Sequence, residues 1–321
     1  MRAWRVHELG EPQDVLRLED VPEPEPHAGM LRVKVDAVAL NFPDVLLCRG
    51  MYQEKPELPF TPGLEVCGTV LDGPRQGERV LGGPGLPRGG LAEQVLIPET
   101  GAHAVPDDLP AAKAASLYIT YQTGYVGLHR RAQLKEGETL LVHAGAGGVG
   151  SAAIQLGKAA GARVIATAGG PDKVKVCEEL GADVTVDYSS EDFVAVVKDV
   201  TAGRGADVIY DSVGGDVFDK SRKCIAFEGR LVVVGFAGGR IADAPTNHAL
   251  VKNYSIVGLH WGLYRHHEPQ IFADTHAALL DLWAKREIDP LVGAELPLED
   301  APAALTRLSD RGTVGKVVLL P

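Results

Sequence analysis

Cysteine is scarce in this chain of 321 residues: Cys48, Cys67, Cys177 and Cys224 stand far apart, with no CxxC pair among them. That usage fits neither a disulfide framework nor a structural zinc knuckle, and it suits a reducing compartment. No stretch approaches the roughly 18 uninterrupted apolar residues of a membrane span. The opening MRAWRVHELGEP lacks the apolar core and small-residue cleavage site of a signal peptide. Basic residues are outnumbered, 32 against 43 acidic, for a net charge of -11. The chain therefore lacks the bulk field that draws proteins to phosphate backbones, and nucleic acid is not an expected partner. Together these absences predict a cytoplasmic protein.

Glycine, by contrast, is abundant. There are 38, and 21 of them fall between residues 122 and 261, which marks that segment as different from its flanks. The first third reads as β-rich: Arg2–His7, Leu31–Leu40, Val66–Leu71, Arg79–Leu81 and Glu93–Ile97 are short β-favouring runs separated by Pro and Gly clusters. Such punctuation predicts a partly open barrel. From Thr139 the pattern changes to short apolar strands alternating with helical stretches, the signature of parallel βαβ units. Strands are predicted at Thr139–His143, Arg163–Thr167, Asp183–Asp187, Asp207–Tyr210, Leu231–Val234 and Ser255–Leu259. Helices are predicted at Val149–Ala160, Asp172–Leu180 and Glu191–Thr201, the last with Ser189 and Asp192 placed as a capping box. The tail reads as helices Ala273–Arg286 and Glu299–Ser309 and a strand Lys316–Leu320, which has no partner nearby in sequence and so is expected to return to the first domain.

The sharpest motif is AGAGGVG at 144–150, between the strand TLLVH and a helix. Gly145, Gly147 and Gly150 match G-x-G-x-x-G, Gly148 adds a fourth glycine, and Val149 opens the helix. Side chains at the glycine positions would block a pyrophosphate from the backbone amides of the helix N-terminus, so the pattern in this context predicts dinucleotide binding. NAD-specific sites place an acid at the tip of the second strand. Here Ala168, Gly169 and Gly170 follow Thr167, and Lys173 lies just beyond with Asp172 beside it. The missing acid favours NADPH, with Lys173 as the counter-charge to a 2′-phosphate.

These residues carry a resemblance. The segments Asn41-Phe42-Pro43-Asp44, Gly50-Met51-Tyr52, LPFTPGLEVCGTV at 58–70, GERV at 77–80, AGAGGVG, ADVIYDSVGG at 206–215, VVVGFAGG at 232–239 and the terminal GKVVLL resemble the zinc-free medium-chain dehydrogenases/reductases of the quinone oxidoreductase group, which includes ζ-crystallin. The resemblance implies an α/β fold in which a Rossmann doubly wound parallel sheet, residues 122–261, is inserted into a GroES-like β-barrel catalytic domain, residues 1–121 and 262–321. It also implies a homodimer through the Rossmann edge strand near Ser255–Leu259. In the related alcohol dehydrogenases the catalytic zinc takes a Cys where this chain has Asn41 and a His where it has Leu64. Glu65 alone cannot hold a metal, and GGPGLPRGG has no structural-zinc cysteines. No metal site is expected.

Without a Lewis acid, quinones and activated alkenes accept hydride more readily than alcohols give it up. By resemblance, Tyr52 is the candidate proton donor or substrate hydrogen-bonding group, Asn41 orients substrate through its amide, and Asp44 braces the network. Thr123, Gly235, Phe236 and Ala237 are placed near the nicotinamide, and Gly170, Lys173 and Tyr188 near the adenosine phosphate. His260 and Trp261 are candidates for shaping the pocket. The predicted activity is NADPH-dependent reduction of quinones. Reduction of α,β-unsaturated ketones or enoyl thioesters is the alternative, and a crystallin-like or RNA-binding role is a third reading that the net charge opposes.

Overall fold

The computed structural model describes residues 1–321. Two compact units form: one from Met1–Ile119 with Pro290–Pro321, the other from Thr120–Asp289.

In the first unit a seven-stranded sheet runs in the order Val292–Pro297, Lys316–Leu320, Met30–Ala39, Val66–Val70, Arg79–Gly82 and His103–Ala104, with Gln94–Pro98 also paired to Met30–Ala39. Arg2–Val6 and Leu16–Asp20 form a separate antiparallel pair. Along Met30–Ala39 the residues Leu31, Val33 and Val35 alternate inward against Val66, Val80, Val95 and Ile97, which is why this irregular run of strands closes around one apolar core. The C-terminal strand does return to this unit, with Val318 opposite Ala39 and Leu319 opposite Val38. It also has a nearer partner than the sequence suggested, because Val292–Pro297 runs parallel to it. That strand escapes a reading for apolar runs because Gly293, Glu295 and Pro297 interrupt it and alternate residues are exposed.

The second unit is a six-stranded parallel sheet in the order Val184–Asp187, Arg163–Ala168, Thr139–Val142, Ala206–Asp211, Ile225–Val233 and Ser255–Gly258. In chain order this is 3-2-1-4-5-6, the doubly wound arrangement whose crevice lies at the strands' carboxyl ends. The unit runs on to Asp289, beyond the boundary expected at 261. The reason is local: Gln155 Nε2 donates to Asp289 O at 2.9 Å and Asp289 N donates to Gln155 Oε1, holding the segment after the helix Gln270–Ala284. The predicted capping box at 189–192 does not form. Asp192 itself caps the helix Phe193–Val200 through Val194 N, and the Ser189 hydroxyl instead donates to Asp187 Oδ1. No helix is long and apolar enough to cross a membrane.

Candidate functional site

The phosphate loop leaves the fully buried strand Thr139–Val142 and enters the helix Gly148–Ala159. Its N-cap is Gly147, which brings no side chain to the first-turn amides. A Cβ on Gly150 would lie 2.1 Å from Ala144 O, and one on Gly145 would lie 2.7 Å from Cys177 Sγ. The turn therefore closes too tightly for side chains at 145 and 150, and Gly147 leaves the positive end of the helix bare. These residues fit the pyrophosphate of a dinucleotide. His143, between strand and loop, lies close to Thr167 Oγ1 (3.0 Å) and Ser221 Oγ (2.8 Å), and burial pulls its pKa down to about 4. A neutral, enclosed ring of this kind props the strand ends and does not meet a phosphate.

At the tip of Arg163–Ala168, Gly170 caps the helix Pro171–Glu179 with φ +86°. Lys173 is half-buried in that helix's first turn, beside exposed Asp172. Tyr188 is exposed and lies against Gly169, its amide donating to Ala168 O at 3.0 Å. One acid does reach this tip, from the neighbouring strand. Asp187 Oδ1 accepts the amides of Gly170 (2.9 Å) and Ser189 (3.0 Å), and these bonds, with the Ser189 hydroxyl foremost, hold its carboxyl below the usual range. Spacing along the second strand does not reveal this acid, because it comes from the strand paired beside it.

At the far side of the same crevice Asp211 Oδ1 accepts the amides of Val213 (2.8 Å) and Gly214 (2.9 Å), shaping the exit of Ala206–Asp211. The loop Gly235-Phe236-Ala237 follows Ile225–Val233 and pairs with that exit: Ala237 N donates to Ser212 O at 3.1 Å, and Phe236 is exposed. Thr123 is buried in the short helix Gln122–Tyr125. His260 is exposed, and Trp261 is buried against Phe272 with ring centroids 4.7 Å apart.

In the first unit, Asn41 caps the helix Phe42–Cys48 and Asp44 sits at its third position. The Asp44 carboxylate accepts Asn41 N on Oδ2 (2.8 Å) and Gly63 N on Oδ1 (2.9 Å), tying two loops together. Complete burial pushes its pKa up to about 7, more than the two backbone donors and Lys316 pull it down. Beside it lies a group that sequence reading did not assemble. Lys316 Nζ donates to Leu40 O (2.6 Å), Asn41 Oδ1 (2.7 Å) and Glu65 Oε1 (2.7 Å). Asn41 Nδ2 donates to Glu65 Oε1 (2.8 Å) and Ala39 O (3.1 Å), and Glu65 Oε2 accepts Ile119 N (2.7 Å). Tyr52 lies beyond this helix, half-buried, with its ring packed on the apolar core of the first unit. The structure thus brings Asn41 and Asp44 together with Glu65 and Lys316.

No three His, Cys, Asp and Glu side chains come together in a way that could hold a metal ion. Of the residues weighed for zinc, Leu64 has no ligand atom, Asn41 Oδ1 accepts the Lys316 ammonium, and Glu65 is occupied by that ammonium and by N–H donors. The residues present do not fit zinc.

Two family models match: an alcohol dehydrogenase GroES-like domain over residues 27–107 and a zinc-binding dehydrogenase over residues 148–277. The quinone oxidoreductase-like protein 2 homolog of Nematostella vectensis is 40% identical, over 99% of this chain and 88% of that protein. The chain belongs to the quinone oxidoreductase group of the medium-chain dehydrogenases/reductases. Among solved structures of similar proteins, a mycobacterial protein complexed with NADPH is 36% identical with a TM-score of 0.92, each chain covered completely. The quinone oxidoreductase of Thermus thermophilus, solved also as its NADPH complex, is 35% identical with a TM-score of 0.89, again with complete coverage of both chains. The second family model is described as zinc-binding, whereas no cluster of His, Cys, Asp and Glu in this chain could hold a metal ion.

Proposed function

We propose that this chain is an NADPH-dependent, metal-free reductase of quinones. The observation that carries the reading is the closed glycine turn at 144–150, which leaves a bare helix N-terminus for a pyrophosphate. The similar proteins solved with NADPH support the choice of dinucleotide. When bound, NADPH supplies the hydride. The first-turn amides of Gly148, Val149 and Gly150 hold the pyrophosphate, and Lys173 and Tyr188 meet the 2′-phosphate while Asp187 stays turned to the amide of Gly170. Thr123 and the loop 235–237 line the nicotinamide end. Tyr52 is the proposed donor of a proton or a hydrogen bond to the acceptor, and Asp44 braces the backbone that carries Asn41.

Two observations support a reaction without metal: Glu65 is spent on N–H groups, and Asn41 is a poor zinc ligand. A homodimer is proposed through the edge strand Ser255–Gly258, which has a neighbour on one side only and lies beside Leu250 and Val251, 76% and 80% exposed. NADPH oxidation against matched quinones, enones and enoyl-CoA esters tests the function. The expected result is the highest kcat/KM with a quinone. No oxidation with any quinone overturns the reading, and a preference for enones or enoyl thioesters replaces it with reduction of activated alkenes.

A further inference from the structure

The cluster of Asn41, Glu65 and Lys316 limits what Asn41 can offer to a ligand. An ammonium has three N–H donors, and a side-chain amide has two donors and one carbonyl oxygen with two lone pairs. All three donors of Lys316 have acceptors, one of them Asn41 Oδ1. Both donors of Asn41 are also taken, by Ala39 O and Glu65 Oε1. Turning the amide over would set its NH2 against the ammonium and its oxygen against a carboxylate and a carbonyl, so all three contacts become repulsive. Glu65 has no freedom to follow, since its second oxygen is held by Ile119 N. The Lys316 and Glu65 side chains are 4% and 0% exposed, so water does not relieve such a mismatch.

We propose that Lys316 is a positioning residue that locks the Asn41 amide in this orientation, so that Asn41 offers a ligand no N–H donor and meets one only as an acceptor, through the Oδ1 it shares with Lys316 and with the first turn of its own helix. The consequence for specificity is direct. A quinone or enone carbonyl only accepts hydrogen bonds and finds no donor in Asn41. A group that donates does find a partner: the hydroxyl of a reduced product, a carboxamide N–H or a water. Asn41 thereby favours the protonated, reduced side of the reaction, which narrows the orienting role expected of its amide to the carbonyl oxygen alone. The identity of the ligand rests on the proposed reductase function, whereas the lock itself does not.

The test therefore has an arm that needs no activity. The Asn41 side-chain NH2 signals of the 15N-labelled protein are identified by their loss in Asn41→Leu, and their exchange with solvent is compared with that of exposed Asn253. In the native protein the Asn41 signals exchange at least tenfold more slowly. In Lys316→Met/Glu65→Gln, which removes both charges together, that protection falls at least tenfold, and Lys316→Arg retains part of it. Native exchange as fast as that of Asn253, or protection unchanged in a folded double variant, overturns the lock. The second arm is kinetic: the double variant loses at least tenfold in kcat with its NADPH Kd within twofold of native. Native kcat and KM in the folded double variant overturn the positioning role. If none of the quinones, enones or enoyl thioesters supports NADPH oxidation by the native protein while the Asn41 amide is protected and Lys316-dependent, only the reductase reading falls.

Discussion

Asp44 Oδ1 accepts the amide of Gly63 at 2.9 Å while its other oxygen accepts that of Asn41, so one fully buried carboxylate joins a helix start to a distant loop. Burial raises its pKa from 3.8 to about 7, which means the folded protein binds the proton more tightly than the unfolded chain. The stabilising contribution is complete below about pH 4 and is lost as pH rises through 7, at about 1.4 kcal/mol per pH unit at its steepest. Asp44→Asn removes this dependence. Denaturant unfolding of the two proteins between pH 4 and 8 should give a flatter stability profile for the variant, and parallel profiles would contradict the assignment.

The Lys316–Glu65 pair gives a second prediction. Removing either partner leaves a buried, uncompensated charge, so Lys316→Met and Glu65→Gln singly should each lose about 3–5 kcal/mol. The double variant should lose much less than the sum. A double-mutant cycle by urea unfolding measures the difference, and simple additivity would show that the two do not interact.

The phosphate loop separates two glycines by their surroundings. A Cβ on Gly150 meets a backbone carbonyl at 2.1 Å, whereas one on Gly147 finds its nearest neighbour at 3.3 Å. Gly150→Ala should lower Tm and abolish tight NADPH binding. Gly147→Ala should leave Tm nearly unchanged while weakening NADPH several-fold, by placing a methyl group in the anion's approach. Calorimetry with and without NADPH distinguishes them, and equal Tm values for the two variants would count against the geometry.

Lys173 stands in the first turn after Gly170 and is the proposed counter-charge to a 2′-phosphate. Lys173→Ala should weaken NADPH by roughly tenfold and leave NADH unchanged, an effect of about 1.4 kcal/mol. Titration of cofactor fluorescence gives both constants. Parallel weakening of the two would remove Lys173 from the discrimination.

Tyr52→Phe keeps the ring that packs on the apolar core and removes only the hydroxyl. Cofactor affinity and Tm should hold while kcat falls at least tenfold. Steady-state rates with the preferred quinone test this, and an unchanged kcat would reduce Tyr52 to packing.

Much of this organisation is legible in the residues themselves, because local patterns carry it. TLLVH followed by AGAGGVG and a helix needs nothing distant to be read, and the six parallel strands announce themselves as short apolar runs. Lys316 was invisible for the opposite reason. At the head of KVVLL it looks like a solvated strand-end lysine, and its partner Glu65 lies 251 residues away. Asp187 likewise acts on Gly170 across two adjacent strands, a relation that spacing along the second strand does not contain. Edge strand Val292–Pro297 stays hidden because half of its residues face out and glycine and proline break its pattern. The discontinuous shape of the first unit was foreseeable from an orphan terminal strand, while the place where the chain re-enters it depended on Gln155 holding Asp289.

The long reach of Lys316 also sets an order of events during synthesis. Glu65 and Asn41 emerge from the ribosome early, but the ammonium that completes their bonds is made only after the entire parallel-sheet unit between them. Until then the strand Met30–Ala39 lacks its C-terminal neighbour. The parallel-sheet unit is complete in the growing chain before the first unit has its C-terminal strands, so the contact with Lys316 is the last that Glu65 gains.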